Sequence, residues 1–295
     1  MRFEDTTLLL GIGMPRTGTG WLHNYLIEHP QALATPIKNM HYFNQLFHGT
    51  RAEESKQRFR QRLAAIEDSI RSTGGMMVAR TLRPNAVRNL EVYLDRLAIE
   101  RGEMGYIEFY ARRWQGERVL CDVTPEYWSL TEEAYKAMRD IHPDTRILFS
   151  VRNPADHWIS NIRMRQKQME PDAFDAYVRE VLEAGKPRAA NKRIPRAIEE
   201  LKAAFPDSRR RLVYFETHMT EQGIAEFCDW LGIDRHPPNL SRPVNSSAAV
   251  KLDPSVRPQL VRLSAPVYRE VAKIMPGELP QSWRRDIDYL DSIGA

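Results

Sequence analysis

Apolar residues from Thr7 to Gly13 form a short run closed by glycines, the pattern of a buried strand. A loop, Met14–Gly18, follows. Thr19–Glu28 then predicts a helix with Trp21, Leu22, Tyr25 and Leu26 on one face, stopped at His29-Pro30. Residues 51–72 are charged but keep helical apolar spacing at Phe59, Leu63, Ile66 and Ile70, and Ala86–Gly102 and Met104–Arg113 predict further helices. Arg118–Val123 predicts a second strand. Arg146–Arg152 predicts a third, whose Ile147, Leu148, Phe149 and Val151 suit a strand covered on both faces, with Pro154 where the next helix starts. Arg211–Phe215 predicts a fourth, followed by a helix through Ile224–Leu231. This alternation implies an α/β fold with a central, mainly parallel sheet flanked by helices. Ligands of such sheets sit at the carboxyl ends of strands. The segments to inspect are therefore Met14–Gly20, Thr124–Tyr127, Arg152–Ser160 and Glu216–His218.

Composition narrows the field. Of 295 residues, 42% are apolar and 28% charged, as in ordinary globular chains, with no internal repeat or low-complexity segment. Lys and Arg number 43 against 39 Asp and Glu, a net charge of +4. That suits a small anionic ligand and is too weak to argue for nucleic acid. Cys121 and Cys228 are too few for a disulfide framework and lack metal spacing, so no metal is expected and a reducing compartment is. Leu8–Met14 is broken by two glycines and cannot span a bilayer, and no secretory pattern follows it. The expectation is a cytoplasmic protein. No heptad or interface stripe sets an oligomeric state.

The first loop, Gly13-Met-Pro-Arg-Thr-Gly-Thr-Gly20, lies between strand and helix. Its glycines let backbone N–H groups converge, the helix N-terminus adds partial positive charge, Arg16 adds a full one, and Thr17 and Thr19 add hydroxyls. All of this favours an anion with several oxygens. A Walker A loop would carry Lys where Thr19 stands; here the basic residue comes earlier, at Arg16. In the second segment, Ser150-Val-Arg-Asn-Pro-Ala-Asp-His-Trp-Ile-Ser160, Arg152 ends a strand and Ser160 lies about two turns into a helix. Guanidinium and hydroxyl can meet on a further phosphate.

The segment Pro15–Trp21 resembles the Pro-Lys-Ser-Gly-Thr-Thr-Trp loop of sulfotransferases that use 3′-phosphoadenosine 5′-phosphosulfate (PAPS), and Arg152…Ser160 resembles their 3′-phosphate motif. The resemblance implies a P-loop-NTPase-like sulfotransferase fold. Arg16 would face the bridging oxygen of the phosphosulfate, and Thr17, Gly18, Thr19, Gly20 and Trp21 would hold it, with Trp21 on the adenine. Arg152 and Ser160 would take the 3′-phosphate. Weaker likenesses extend this. Cys121–Tyr127 resembles a segment of carbohydrate and bacterial members, and Arg242-Pro-Val-Asn-Ser-Ser247, with Asn245 and Ser246, resembles a loop covering the nucleotide.

Thr35–Asn44 resembles a Lys-Glu-x-His segment of heparan-type and bacterial members, in which Glu is the catalytic base. Asn39 stands at that position here, and an amide takes no proton at neutral pH. Arg16 and Lys38 remain to neutralise the leaving group. His41 is the first candidate for proton acceptor, with Asp122 and Glu126 in reserve. The chain is thus expected to be one domain with helical insertions on the acceptor side at about 45–115 and 163–200. It would transfer a sulfuryl group from PAPS to a hydroxyl or amine of a glycan or small molecule and release PAP. A PAP-binding relative that has lost catalysis, or a P-loop kinase, are the alternatives. The basic stretch Gly185–Arg196 could greet an anionic acceptor or form a solvated helix face.

Overall fold

A computed structural model of the chain describes residues 1–47, 83–166, 169–241, 252–275 and 277–295, together with most residues between 53 and 68, which are helical. Five strands form one sheet: β1 (Thr7–Gly13), β2 (Ala32–Ala34), β3 (Val119–Val123), β4 (Thr145–Val151) and β5 (Arg210–Tyr214). They lie in the order β2-β3-β1-β4-β5, all neighbours parallel. The four expected strands are present, displaced by a residue or so at their ends; β2 is additional.

Every residue of β1 is buried. Its two faces explain this, because each is covered by a separate apolar cluster. Leu8, Leu10 and Ile12 join the larger one, with Phe149, Tyr127, Tyr268 and Trp283; Leu9 joins the smaller, with Trp21, Leu22, Leu26 and Phe227. Helix α1 (Thr19–Glu28) adds Trp21, Leu22, Tyr25 and Leu26 to the smaller cluster, as its apolar stripe predicts.

The helices α2 (Tyr42–Phe47), α3 (Arg83–Glu100) and α4 (Tyr106–Ala111) fill the first insertion, and α5 (Glu132–Asp140) follows β3. Beyond β4 come α6 (Pro154–Gln166), α7 (Pro171–Glu183) and α8 (Lys186–Ala204). The basic stretch falls on α8, where Arg193 and Arg196 both pair with Glu200, at 2.6 and 2.8 Å, and Arg193 also donates to the Leu130 carbonyl. These two cations are committed within the fold. After β5 and a single helical turn, Phe215–His218, come α9 (Glu221–Leu231), α10 (Val256–Leu263), α11 (Ala265–Ile274) and α12 (Gln281–Ser292). No helix among the described residues is long and apolar enough to cross a membrane.

β1 is the topological centre. The chain runs from it to β2 and β3 on one side and to β4 and β5 on the other. The carboxyl ends of β1 and β4 therefore flank the crevice where open parallel sheets take their ligands.

Candidate active site

The glycine loop is built at the end of β1. Gly18, at φ 77°, caps α1, and the first intrahelical bond runs from Leu22 N–H to its carbonyl at 2.9 Å. The amides of Thr19, Gly20 and Trp21 thus precede the helix's own ladder and supply its positive end. A Cβ at Gly18 would stand 2.9 Å from Met219 Sδ and 3.0 Å from Phe215 Cε2, so the position admits only glycine without rearrangement.

Arg152, one residue past β4, donates from Nη1 to the Arg16 carbonyl at 3.0 Å, and its guanidinium covers the Phe215 ring at 4.7 Å. Arg16 Nε donates to Ser160 Oγ at 3.0 Å. His157 Nε2 donates to the Pro15 carbonyl at 2.9 Å; a carbonyl only accepts, so that nitrogen carries the proton. The two motifs therefore form a single structure. Burial lowers the pKa of both Arg16 and Arg152, and for Arg152 the charge of Arg16 adds to the effect. Burial first, with the charges of Arg152 and Arg16, pushes His157 down to about 4, against the opposing pull of its hydrogen bond to Pro15. Nothing in the motif spacing marks His157 as the residue that holds Pro15.

Other loop residues differ in detail from the expectation. The Thr17 hydroxyl donates inward, to the Met14 carbonyl at 2.7 Å. Thr19 is buried and Gly20 half-buried. Trp21 is nearly enclosed, stacked on Tyr25 at 5.2 Å, with Nε1 bonded to the Asn239 carbonyl at 2.8 Å. Arg242, Asn245 and Ser246 lie outside the described residues.

The acceptor-side residues border the end of β3. The Asn39 N–H donates to the Val123 carbonyl at 3.2 Å, fixing the Lys38–His41 turn there. The helical turn Pro125–Ser129 that carries Glu126 is packed onto the end of β1, since a Cβ at Gly13 would stand 2.9 Å from the Pro125 carbonyl oxygen. Lys38 is half-buried and makes no ion pair or hydrogen bond among the described residues. Burial lowers its pKa, Arg16 lowers it further, and Glu126 opposes both. His41 is buried, with Nδ1 3.0 Å from Asn44 Oδ1.

Asp122 is wholly enclosed and accepts hydrogen bonds from Thr124 Oγ1, Tyr106 Oη and Tyr127 Oη at 2.6, 2.8 and 2.9 Å. Burial raises its pKa and the hydroxyls hold it back. Tyr42, Phe43, Tyr106 and Tyr127 pack edge-on or stacked around this carboxylate. With its lone pairs engaged, it organises the wall of the site.

Among the described residues, the non-glycine positions with left-handed backbone are Arg16, Asn39 and His41, at φ 70°, 65° and 54°. Such conformations cost about 1–3 kcal/mol each and survive where their surroundings impose them, commonly at functional sites. All three lie here. No group of three or more His, Cys, Asp or Glu side chains able to hold a metal occurs among the described residues.

Comparison with known proteins bears on the family and the fold. The model of the sulfotransferase family matches residues 9–237. A sulfotransferase from Alicyclobacillus acidocaldarius is similar in structure at TM-score 0.59 and 20% identity, over 94% of this chain and 98% of its own. The sulfotransferase domain of the Synechococcus PCC 7002 olefin synthase aligns at 0.45 and 15%, over 93% and 95%. A retinol dehydratase in complex with androsterone and the inactive cofactor PAP aligns at 0.32 and 16%, over 99% and 78%. No curated protein matches the sequence closely enough to count as a relative. The parallel sheet with its P-loop-like turn is a sulfotransferase fold, and, with the family match spanning most of its length, the chain belongs to the sulfotransferase family.

Proposed function

We propose that the protein transfers the sulfuryl group of PAPS to a hydroxyl or amine of a glycan or small-molecule acceptor, releasing PAP. The observation that carries this reading is the joining of the two motifs, through Arg152 Nη1 to the Arg16 carbonyl and Arg16 Nε to Ser160 Oγ, each at 3.0 Å. Lys38, half-buried nearby, has no ion-pair partner among the described residues, and the charge of Arg16 reaches it. Cations held together in partial burial favour an anion among them.

The residues present fit that donor. The amides at the start of α1 and Arg16 suit the 5′-phosphosulfate, while Arg152 and Ser160, each bonded to Arg16, suit the 3′-phosphate. Trp21, Arg242, Asn245 and Ser246 are assigned to the nucleotide by resemblance. PAPS supplies an activated sulfuryl group whose transfer leaves charge on a phosphate oxygen. Arg16 and Lys38 are the side chains that meet that charge, as half-buried, preorganised cations. His41, bonded to Asn44, shapes the acceptor side.

Calorimetry with PAP and with ATP tests the reading. Micromolar PAP binding and ³⁵S transfer from labelled PAPS are expected; ATP binding with PAP ignored overturns it.

A further inference from the structure

With Asn39 at the family's usual carboxylate position, the acceptor's proton needs another destination. Three groups near the end of β3 could take it. Asp122 is engaged by three hydroxyl donors and enclosed by aromatic rings. His41 has one ring nitrogen committed to Asn44. Glu126 differs from both, because its Oε2 is buried and accepts no hydrogen bond. A bare carboxylate oxygen removed from water is costly to maintain and calls for an explanation.

Its surroundings supply one. Glu126 sits on the turn packed against the end of β1, within electrostatic reach of Lys38, which Arg16 also reaches. The Asn44 amide donates to the Glu126 main-chain carbonyl at 3.5 Å, tying α2 to this turn. The Asn39 Oδ1, on the neighbouring segment, is likewise buried without a donor. Two buried acceptor oxygens without donors thus sit on the two segments that border the end of β3, the acceptor side of the PAPS reading.

We infer that Glu126 is the general base of the reaction, filling the role that Asn39 cannot perform. The inference rests on the PAPS reading given above. In the step, the acceptor O–H gives its proton to Glu126 Oε2 while its oxygen bonds the sulfuryl sulfur. The bond from sulfur to the 5′-phosphate oxygen breaks, and its electron pair remains on that oxygen, facing Arg16 and Lys38. The products are a sulfate ester, PAP and a protonated Glu126, which returns its proton to water.

The test compares the wild type with Glu126→Gln and His41→Gln by three readouts: calorimetric PAP affinity, thermal unfolding, and ³⁵S leaving labelled PAPS for water or for a panel of phenols, aliphatic alcohols and amino sugars. Glu126→Gln should keep PAP affinity within about twofold and leave Tm within about 2 °C of wild type, because Oε2 accepts no hydrogen bond that the fold would lose. Transfer should fall at least ~100-fold, the usual scale for a lost general base. Transfer within about threefold of wild type, a loss on His41→Gln alone, or a drop in Tm together with PAP affinity overturns the assignment. So does a wild type that binds PAP but moves ³⁵S to no acceptor, water included. A wild type that fails to bind PAP overturns instead the donor reading beneath it.

Discussion

Arg16 Nε donates to Ser160 Oγ at 3.0 Å, joining the glycine loop to a helix 144 positions later. The bond orients the one cation in the loop, and Ser160 belongs to the helix that starts just after Arg152. Ser160→Ala should therefore weaken PAP about 5- to 10-fold, as for one lost hydrogen bond near charge. Arg152→Ala should weaken it roughly 10- to 100-fold, and Arg152→Lys should recover little, because lysine lacks the planar fork. Calorimetry on the three variants decides this; equal affinities across them would dissolve the assignment of the 3′-phosphate pocket.

Behind Arg152 lies a buried polar knot. Asp286 on α12 accepts from Arg257 at 2.8 and 2.9 Å, from Asn153 Nδ2 at 2.8 Å and from Tyr268 Oη at 2.9 Å, and the Asn153 amide donates to Glu216 Oε1 at 2.8 Å. The C-terminal helices thus brace the residue next to Arg152. Asp286→Ala removes the acceptor of Asn153 and Tyr268 and the two-pronged partner of Arg257, which keeps only Asp156 at 3.5 Å, so a loss of about 2–3 kcal/mol in urea unfolding is expected. PAP affinity should fall with it even though Asp286 touches no phosphate. Unchanged stability would show that the knot is dispensable.

Gly223, in the first turn of α9, donates its N–H to the capping Thr220 Oγ1 at 3.0 Å. A Cβ there would stand 2.3 and 2.5 Å from the carbonyl oxygens of Thr217 and His218, and backbone cannot swing aside as a side chain does. Gly223→Ala should cost about 2–4 kcal/mol and lower Tm on the order of 5–10 °C by calorimetric scan. A Tm within a degree of wild type would contradict this packing.

Three histidines give the fold an acid limit. Burial pushes His23, His157 and His218 down to about 4 from an ordinary 6.5. The unfolded chain takes up protons first, so their contribution is fully present above pH 6.5 and is lost as pH falls toward 4. The loss is on the order of 3 kcal/mol for each at the acid end. Neither ring nitrogen of His218 has a partner, and Phe227 packs edge-on against it. His218→Leu should flatten the dependence by about one proton between pH 6.5 and 4 without loss at pH 8. Urea titrations at several pH values measure the slope.

Much of this arrangement is legible in the sequence, for identifiable reasons. The loop and the Arg152 segment are announced by glycines and a proline at strand-to-helix joints, where backbone geometry restricts residue choice. What escapes is anything set by register or by distant partners. β2 is three residues long and exists because Ala32–Ala34 pair with Val119–Cys121. His157 looks like a departure from the motif until its ring meets a carbonyl 142 positions away. Asp122 reads equally as a site-edge acid or a turn cap, since Tyr106, one of its partners, lies in the insertion and follows no motif. Lys192 of the basic stretch is exposed, while Arg193 and Arg196 meet Glu200 one turn or two along α8, a solvated helix face carrying its own counter-charge.

Arg152, His157 and Ser160 all hang from one strand-to-helix junction, and all three grip Pro15 or Arg16. If those residues seat the two phosphates of PAP as proposed, the gap between the seats is held like that of a locked calliper. A nucleotide whose charged groups are spaced differently should then be refused by measurement alone, before any contact with its base is made.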